Sequence, residues 1–266
     1  MGFMAEGTRE AASAQHRRLL DTIGMRIVEG ELAPGARLLT ADVAAEYGAS
    51  RSAMREVVRV LETMGMVEVR RRAGVEVLPA ERWSPYAPEV IRWRLDGSGR
   101  LGALHELSQL RSAIEPLAAR LAAAHASPEQ RATLVKAVLG MVEHGDRADE
   151  SVYLQHDIDF HAAVLRGSGN PYLAGLTEVV AELLHGRTAH ALMPHRADET
   201  ALRLHQDVAA AITARDPETA AAAMAAIVTE ADDAVEAMAE PGPAAVPGPV
   251  AEPGPITEPV EAPGRP

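Results

Sequence analysis

The chain has 266 residues, a hydrophobic fraction of 47%, an aromatic fraction of only 3% and a formal net charge of −12. This length exceeds that of one ordinary domain, and cores built from Ala, Leu, Val, Ile and Met with few aromatics favour close-packed helices. The absence of cysteine excludes disulfides, thiolate zinc sites and cysteine nucleophiles, while the lack of a long apolar run or a basic leader predicts a cytoplasmic protein without membrane contact.

The N-terminal part of the chain predicts three helices in succession. Residues 1–15 lack hydrophobic periodicity and are predicted to be a disordered lead-in. A first helix is predicted from Arg17 onward, because apolar residues then recur at helical spacing. Thr40 is predicted to cap a short second helix, Gly48 to supply the turn after it, and Ser50 to cap a third helix. The apolar face of the third helix consists of Met54, Val57, Val58, Leu61 and Met64.

A β-hairpin is predicted directly after the third helix. Met66, Val67 and Val69 form its first strand, Val75, Val77 and Leu78 form its second strand, and Gly74 lies in the turn. Three helices followed by a hairpin are typical of a winged helix-turn-helix, which we therefore predict over residues 16–80.

The rest of the chain predicts helices and little else. Residues 81–99 contain Trp83 and Trp93 and predict a linker with a short helix that docks on another element. Residues 100–240 have helical periodicity interrupted by short Gly and Pro breaks, which predicts an all-α bundle of about six helices. The nine prolines of residues 241–266 predict a disordered tail. The predicted fold class is mostly α, a winged helix-turn-helix followed by a helical bundle.

The third helix has the features of a helix that reads DNA. Residues 1–80 contain 11 Arg and 11 acidic residues, so the net negative charge lies entirely after residue 80. Arg51 and Arg55 share a helix face, and the Arg side chain matches guanine and also binds phosphates. Such a helix alone could be a solvated face, but its combination with an Arg-rich hairpin favours DNA binding. The predicted DNA contacts are Ser50, Arg51, Ser52, Arg55, Arg59, Arg71, Arg72 and Gly74.

A second chemical feature is the motif H-D-I-D-F-H at residues 156–161. Asp157 and His161 lie one helical turn apart on the same face, so a carboxylate oxygen and an imidazole nitrogen can reach one ion. His205, on a later helix, is a third candidate that points toward the bundle centre. The alternative is that these histidines are ordinary core residues with satisfied hydrogen bonds.

A third feature is Arg111, which lies in an inward-facing helical stretch. A buried Arg requires a partner. Glu115, four residues later, is one candidate. The other is the carboxylate of a bound effector, which a guanidinium can hold through two hydrogen bonds.

Two stretches of the N-terminal region carry a family resemblance. The first stretch is I-V-E-G-E-L-A-P-G-A-R-L, and the second is D-V-A-A-E-Y-G-A-S-R-S-A-M-R-E-V-V-R-V-L-E-T-M-G-M-V-E-V-R-R-R-A-G. Both resemble the GntR family of prokaryotic transcription regulators. The bundle resembles the FCD-type ligand-binding domain of the FadR-like branch, so the resemblance covers nearly all of residues 16–240. It implies a homodimer that binds a palindromic operator in double-stranded DNA and responds to a small carboxylic acid.

The resemblance also has implications for particular residues. The family usually carries Ser-Glu-Arg at the start of its second helix, whereas Leu39-Thr40-Ala41-Asp42 is shorter and lacks that Arg, which implies a missing phosphate contact. The region of Trp83 to Trp93, D-I-D-F-H and Gly-Asn-Pro look similar to sugar-acid (galactonate-type) regulators, which implies repression of a catabolic operon and a hydroxylated acid as effector. Arg111 matches the Arg that binds the effector carboxylate.

The resemblance further implies a divalent metal, zinc or another transition metal. FadR-like ligand domains often use Asp-x-x-x-His with two further histidines, and Asp157, His161 and His205 match three of these positions. The fourth position is Ile227. Either three protein ligands hold the ion while water or the effector completes its coordination, or the metal has been lost.

Two rival functions remain open from the sequence. His156-Asp157 superficially matches the signature of metal-dependent phosphohydrolases, which need further His and Asp ligands along the bundle. A DNA-binding protein that responds to no small molecule is the other alternative, and fold alone does not separate these functions.

Overall fold

The computed structural model describes residues 3–71, 74–148, 150–189 and 196–239. Its first domain is a winged helix-turn-helix, and its second is a bundle of helices, which confirms the predicted fold class. None of the described helices is both long and apolar enough to cross a membrane. The first domain comprises α1 (Phe3–Val28), β1 (Arg37–Leu38), α2 (Thr40–Glu46), α3 (Arg51–Thr63), β2 (Val67–Arg70) and β3 (Gly74–Val77).

The three short strands form one antiparallel sheet in which β3 is central. The predicted hairpin is confirmed, with Val67 of β2 opposite Val77. Its strands differ slightly from the prediction, because Met66 and Leu78 lie outside them and Gly74 is the first residue of β3. Strand β1, which the sequence analysis did not predict, pairs with the other edge of β3, with Arg37 opposite Glu76. Two residues are too few to show the alternation that identifies a strand. The sheet packs on the helices through a shared apolar core.

The N-terminal core is aliphatic and includes the predicted apolar face of the third helix. Every one of the five residues predicted for that face is buried. The core of this domain consists of Leu19, Leu20, Ile23, Ile27, Leu38, Val43, Ala44, Met54, Val57, Val58, Leu61, Met64, Met66, Val67, Val75, Val77, Val90 and Trp93.

Helix α1 begins earlier than predicted. It starts at Phe3, so residues 3–15, predicted to be a disordered lead-in, are helical and the predicted start at Arg17 is wrong. The segment contains four alanines among its residues, and Ala has the highest helix propensity. Helical periodicity of apolar residues detects packing against a core, so it does not detect a helix extension that depends on propensity.

The link between α2 and α3 is a tight turn, but the predicted cap of α2 is wrong. Thr40 is the first residue of α2, and the residue before it, Leu39, has an apolar side chain that makes no hydrogen bond to the helix. Gly48 has a φ of +59°, a conformation that favours glycine. Its position between the two helices confirms the predicted turn.

Helix α4 (Pro88–Asp96) connects the two domains and packs against both. Val90 and Trp93 belong to the N-terminal core, while Ile91 and Leu95 pack with residues of the second domain. The prediction of a short docking helix within residues 81–99 is confirmed. A single 3-10 turn, Ala80–Arg82, precedes it.

The second domain contains seven α-helices within the described part of the chain. This is one helix more than the predicted number of about six, and the additional helix is α8, a single turn that begins at the proline of the Gly-Asn-Pro break. The predicted tail, residues 241–266, lies outside the described residues. The helices are α5 (Arg100–His125), α6 (Pro128–His144), α7 (Ser151–Gly167), α8 (Pro171–Ala174), α9 (Thr177–Ala189), α10 (Glu199–Ala214) and α11 (Pro217–Ala239).

The contact between α1 and α4 requires a glycine at position 24. Trp93 is only 1% exposed, its indole Nε1 donates to Asp21 Oδ1 at 2.9 Å, and a Cβ at Gly24 would lie 2.5 Å from its ring. Gly24→Ala is therefore expected to destabilise the protein by about 1–3 kcal/mol in urea unfolding, because overpacking a full core displaces the ring. Gly102→Ala in α5, where a Cβ would contact nothing, is the control and should be neutral or stabilising. Equal effects of the two substitutions would contradict the tight contact.

Candidate functional site

Helix α3 is positioned by its buried face and by a capped N-terminus. Ser50 Oγ accepts a hydrogen bond from the Ala53 backbone N–H at 3.1 Å, which confirms the predicted cap. Ser50 Oγ also lies 2.9 Å from Ser52 Oγ. The helix is thereby fixed at the end that a helix-turn-helix places against base edges.

The polar side chains predicted to contact DNA lie on the exposed side of α3. Arg51, Ser52, Arg55 and Arg59 are all exposed. Arg51 and Arg55 line a shallow depression of about 200 Å³ between the N-termini of α2 and α3. Neither forms an ion pair with another described residue, whereas Arg59 Nη1 lies 3.7 Å from Glu56 Oε2. Arg51 and Arg55 therefore present the two uncompensated charges of this helix.

The wing contributes fewer free charges than its sequence indicates. Arg70 forms ion pairs with Glu68 at 3.0 Å and Glu76 at 3.1 Å, and these carboxylates raise the pKa of its guanidinium. Arg71 is exposed and forms no ion pair among the described residues, while Arg72 lies outside the described residues. Gly74 is exposed and has a φ of +86°, so it permits the sharp reversal into β3.

A buried polar cluster lies inside the helical bundle. Asp157 and His161 on α7 meet His205 on α10, and one ligand atom from each lies within 4.8 Å of the others. Asp157 Oδ1 is 3.4 Å from the Nε2 atoms of both histidines. The structure thus brings together the three residues that the sequence predicts as metal ligands.

The donor atoms of this cluster fit a divalent metal. Asp157 Oδ1 and His205 Nε2 are fully buried and have no hydrogen-bond partner among the described residues. Buried polar atoms are rarely left without a partner, and two facing donors of this kind are the ligands that zinc prefers. His205 Nδ1 lies 2.7 Å from the Ala201 carbonyl oxygen, to which it donates, so the lone pair of Nε2 is directed into the cluster.

Glu115 on α5 is a member of the cluster that the sequence analysis considered only as a partner for Arg111. Its Oε2 lies 3.0 Å from His161 Nδ1, and its side chain is 1% exposed. A carboxylate against the outer nitrogen of a ligating histidine orients the ring and raises its basicity. Glu115 thus contacts both His161 and Arg111.

Arg111 is buried and paired, as one of its two predicted roles requires. Its Nε and Nη2 donate to the two carboxylate oxygens of Glu115 at 2.9 and 3.2 Å. Nη2 also lies 3.2 Å from His161 Nε2. Two of its three nitrogens are therefore engaged within the protein, and Arg111 orients Glu115 and His161 from one side of the cluster.

Arg187 on α9 is a second buried cation, which the sequence analysis did not identify. It is 9% exposed, and its Nε has no hydrogen-bond partner among the described residues. Burial lowers the pKa of its guanidinium, as does the positive charge of Arg111, while Asp157 and Glu230 act in the opposite direction. The only sequence signal is an Arg among the apolar residues of a helix, and this signal does not say what the side chain faces.

The electrostatics of the cluster favour ionised carboxylates. Burial alone would raise the pKa of Glu115, but the charges of Arg111 and His161 lower it to about 2. Burial likewise opposes ionisation of Asp157, yet its interactions with His161 and His205 hold its pKa well below the usual range. Burial, the largest single effect, and the charge of Arg111 lower the pKa of His161, but the interactions with Glu115 and Asp157 together raise it, so the net shift is upward. Both carboxylates are thus anions in the neutral pH range.

Two further residues bear on the predicted chemistry. Ile227, at the position of the missing fourth ligand, is 3% exposed and belongs to the apolar core. His156, the other half of the phosphohydrolase-like pair, stacks with His144 at a ring-centroid distance of 5.4 Å, on α6. His156 is therefore separated from the Asp157 cluster, and the described histidines do not form the extended ligand set of such an enzyme.

Two family models match the chain. One is described as bacterial regulatory proteins, gntR family, and matches residues 15–77. The other is described as the FCD domain and matches residues 106–230. The first match covers the winged helix-turn-helix, and the second covers the helices that form the buried cluster.

Relatives and solved structures agree with these matches. The galactonate operon transcriptional repressor of Escherichia coli (strain K12) is 30% identical over 167 residues, which are 62% of this chain and 72% of the relative. The transcriptional regulator Rv0494 of Mycobacterium tuberculosis is 31% identical over 212 residues, which are 79% of this chain and 84% of the relative. The structure of McbR/YncC from E. coli has a TM-score of 0.50 and 18% identity over 85% of this chain and 99% of its own, which supports the fold alone.

Proposed function

Because the chain belongs to the GntR family of bacterial regulatory proteins and carries an FCD domain, we propose that it represses a catabolic operon and releases the operator when a small hydroxylated acid binds the buried cluster. It is a DNA-binding transcription regulator and not an enzyme. We further propose that it acts in the cytoplasm as a homodimer on a palindromic operator, since a twofold protein reads two equivalent half-sites.

The observation that carries the effector proposal is the buried guanidinium of Arg187, whose Nε has no hydrogen-bond partner and which forms no ion pair with a described residue. An isolated charge is costly inside a protein, and Arg almost never remains buried without an anionic partner. The carboxylate of Glu115 is already bound by Arg111, and Asp157 Oδ1 faces the two histidines at 3.4 Å. A bound carboxylate supplies the missing anion, and the planar fork of Arg187 suits it. Arg187, rather than Arg111 as the resemblance implied, is thus the better candidate for the direct contact.

A divalent metal, with zinc as the first candidate, is the second part of the proposed site. Asp157, His161 and His205 would hold it, and Glu115 and the Ala201 carbonyl would orient the two imidazoles. Ile227 occupies the position of the family's fourth ligand and cannot bind a metal. With only three protein ligands, at least one coordination position would remain open to water or the effector. The metal supplies a Lewis-acidic centre for a carboxylate or hydroxyl oxygen of the effector. Arg187 then binds the acid from α9, and the bundle excludes water around it.

Helix α9 also connects this site to the DNA-binding domain. Gly186, adjacent to Arg187, packs against Leu95 of α4, and a Cβ at Gly186 would lie 2.8 Å from that side chain. The same α4 carries Trp93, which is packed into the N-terminal core. A shift of α9 on effector binding therefore reaches the winged helix-turn-helix through a continuous set of packed side chains.

The experiment is a thermal-shift titration of the full-length protein with sugar acids, beginning with galactonate because that compound appears in the name of a relative. The wild type is expected to gain stability with increasing acid. Arg187→Leu is expected to weaken acid binding by roughly 30-fold or more, since a charged hydrogen bond contributes about 2 kcal/mol or more. Its affinity for DNA should be retained, but the acid should no longer release the DNA.

Arg166→Leu is the matched control, because Arg166 is exposed on α7. It should leave acid binding and DNA release unchanged. Normal effector binding by Arg187→Leu would overturn the assignment of this residue. Operator binding that no acid alters, in the wild type itself, would instead favour a regulator without an effector.

A further inference from the structure

Helix α6 is apolar on its exposed side as well as on its buried side. Leu134, Ala137, Val138 and Met141 are buried in the bundle core. A second set of apolar residues remains exposed, with Leu139 at 63%, Val142 at 45% and Val135 at 39%. The exposed stripe consists of Ala132, Val135, Leu139 and Val142.

The spacing of this stripe is that of a helix-helix seam. Successive residues are separated by three, four and three positions, the alternation of a heptad repeat in which apolar side chains pack against a second helix. Such a stripe is narrower than the face by which a helix packs on a domain core. Within the described residues, no other helix covers it.

The surface beside the stripe is shaped to receive side chains. Two adjoining depressions of about 500 and 490 Å³ lie along α6 and α10, and both are lined by Val135, Leu139 and Thr213. The second is bordered on α10 by Gln206, Ala209, Ala210 and Ala214, and it contains no charged residue. A protruding Leu from another helix fits such a surface.

The charged residues beside the exposed stripe indicate which molecule packs on it. Lys136, the only lysine in the sequence, follows Val135, and Glu143 follows Val142, so each charge stands one residue after a stripe residue on the same flank. Two α6 helices that pack antiparallel about an axis near Leu139 place Lys136 of each copy beside Glu143 of the other. A parallel arrangement would instead place the two flanks that carry these charges on opposite sides of the helix pair and leave Lys136 and Glu143 without each other as partners.

We propose that the exposed stripe of α6 is the homodimer interface, with a second copy of this chain packed antiparallel across it and held by reciprocal Lys136–Glu143 ion pairs. This inference rests on the proposed dimeric regulator and identifies the surface that joins its two halves. The interface is isologous, so it closes after two copies and gives the twofold symmetry that a palindromic operator requires.

The test is analytical ultracentrifugation of the full-length protein. The wild type is expected to be a dimer at micromolar concentration. Leu139 of both copies lies near the proposed twofold axis, so Leu139→Glu places two negative charges at the centre of the interface. It should raise the dimer dissociation constant by at least roughly 100-fold, since central apolar contacts dominate interface affinity. Leu117→Glu, at a 46% exposed leucine of α5, is the matched control and should remain dimeric.

A charge-reversal series tests the orientation. Lys136→Glu should weaken dimerisation by roughly 10-fold, and the further change Glu143→Lys in the same chain should restore it to within roughly 3-fold. Circular dichroism and the thermal midpoint show whether each variant is folded. Restoration would not occur in a parallel dimer or in a complex with a different protein.

Three outcomes would overturn the inference. They are a dimeric Leu139→Glu protein, dissociation of the Leu117→Glu control, and a wild type that is monomeric at every concentration tested. A monomeric wild type that still binds DNA and responds to an acid would leave the proposed function standing. A wild type that forms the α6 dimer but binds no DNA would contradict the proposed function and leave the proposed interface standing.

Discussion

Alanine at Arg51 or Arg55 is expected to weaken operator binding by roughly 5- to 150-fold, and alanine at both is expected to abolish detectable binding. A bidentate contact between Arg and guanine is worth about 1–3 kcal/mol of discrimination, and each Arg also attracts phosphates. Both side chains are exposed at the N-terminal end of α3 and have no ion-pair partner among the described residues. Neither packs in the core, so the loss of affinity should occur without a loss of stability.

The measurement uses full-length protein and a duplex selected by the wild type from a random DNA pool. Fluorescence anisotropy at several salt concentrations gives the affinity, and the salt dependence should decrease when a phosphate contact is removed. Arg203→Ala is the control, because Arg203 is exposed on α10 of the second domain. If the Arg51 and Arg55 variants bind the selected duplex as tightly as the control, α3 does not read DNA in this protein.

Arg59 and Arg71 provide a graded comparison within the same domain. Arg59 lies near Glu56, so its replacement should cost less affinity than that of Arg51. Arg71→Ala should weaken binding to all sequences to a similar extent, because a wing cation contacts the backbone or the minor groove. Arg70→Ala is expected to have a small effect, since two carboxylates already compensate its charge.

Asp157→Ala is expected to lower the affinity for zinc by at least roughly 100-fold. Outer groups that only orient a metal ligand already contribute about 10- to 100-fold, and Asp157 is the carboxylate that both histidines face at 3.4 Å. The wild type, purified without a His tag and supplied with zinc, should retain about one ion per chain by mass spectrometry. A chelator should lower the thermal midpoint of the wild type and leave that of Asp157→Ala unchanged.

Asp159→Ala is the matched control for this change. Asp159 lies on the same helix, is exposed and accepts a hydrogen bond from Gln155 at 2.9 Å. It should retain metal as the wild type does. Equal and negligible metal in the wild type and Asp157→Ala would show that this chain has lost the ion. In that case Arg187 and the two histidines alone would bind the acid.

The elements predicted best are those whose signals lie within a few residues of one another. Ser50 caps α3, five apolar residues at helical spacing form its buried face, and Gly48 supplies the preceding turn. Strand β1 could not be predicted, because two residues are too few to show an alternation of apolar and polar side chains. The start of α1 was misplaced because residues 3–15 depend on helix propensity rather than on an apolar stripe.

The buried cluster was predicted only in part. Asp157 and His161 follow from one helical turn, since residues four apart share a face. His205 lies on a different helix, so only the family resemblance connects it with this pair. Glu115 contacts His161 across 46 positions of sequence, and Arg187 belongs to yet another helix, so no local pattern connects either with the cluster. The predicted direct role of Arg111 is weakened because Glu115 occupies two of its nitrogens.

The sequence by itself determined the fold class, the arginine-bearing face of α3 and the shared face of Asp157 and His161 on α7, because capping, helical spacing and turn conformation depend on near neighbours in the chain. Only the tertiary structure decided which cations remain unpaired. Arg70 is compensated across the sheet and Arg111 within the bundle, while Arg51, Arg55 and Arg187 have no ion-pair partner among the described residues. Ion pairing depends on distances of a few ångströms between separate elements, and the packing of many apolar side chains sets those distances.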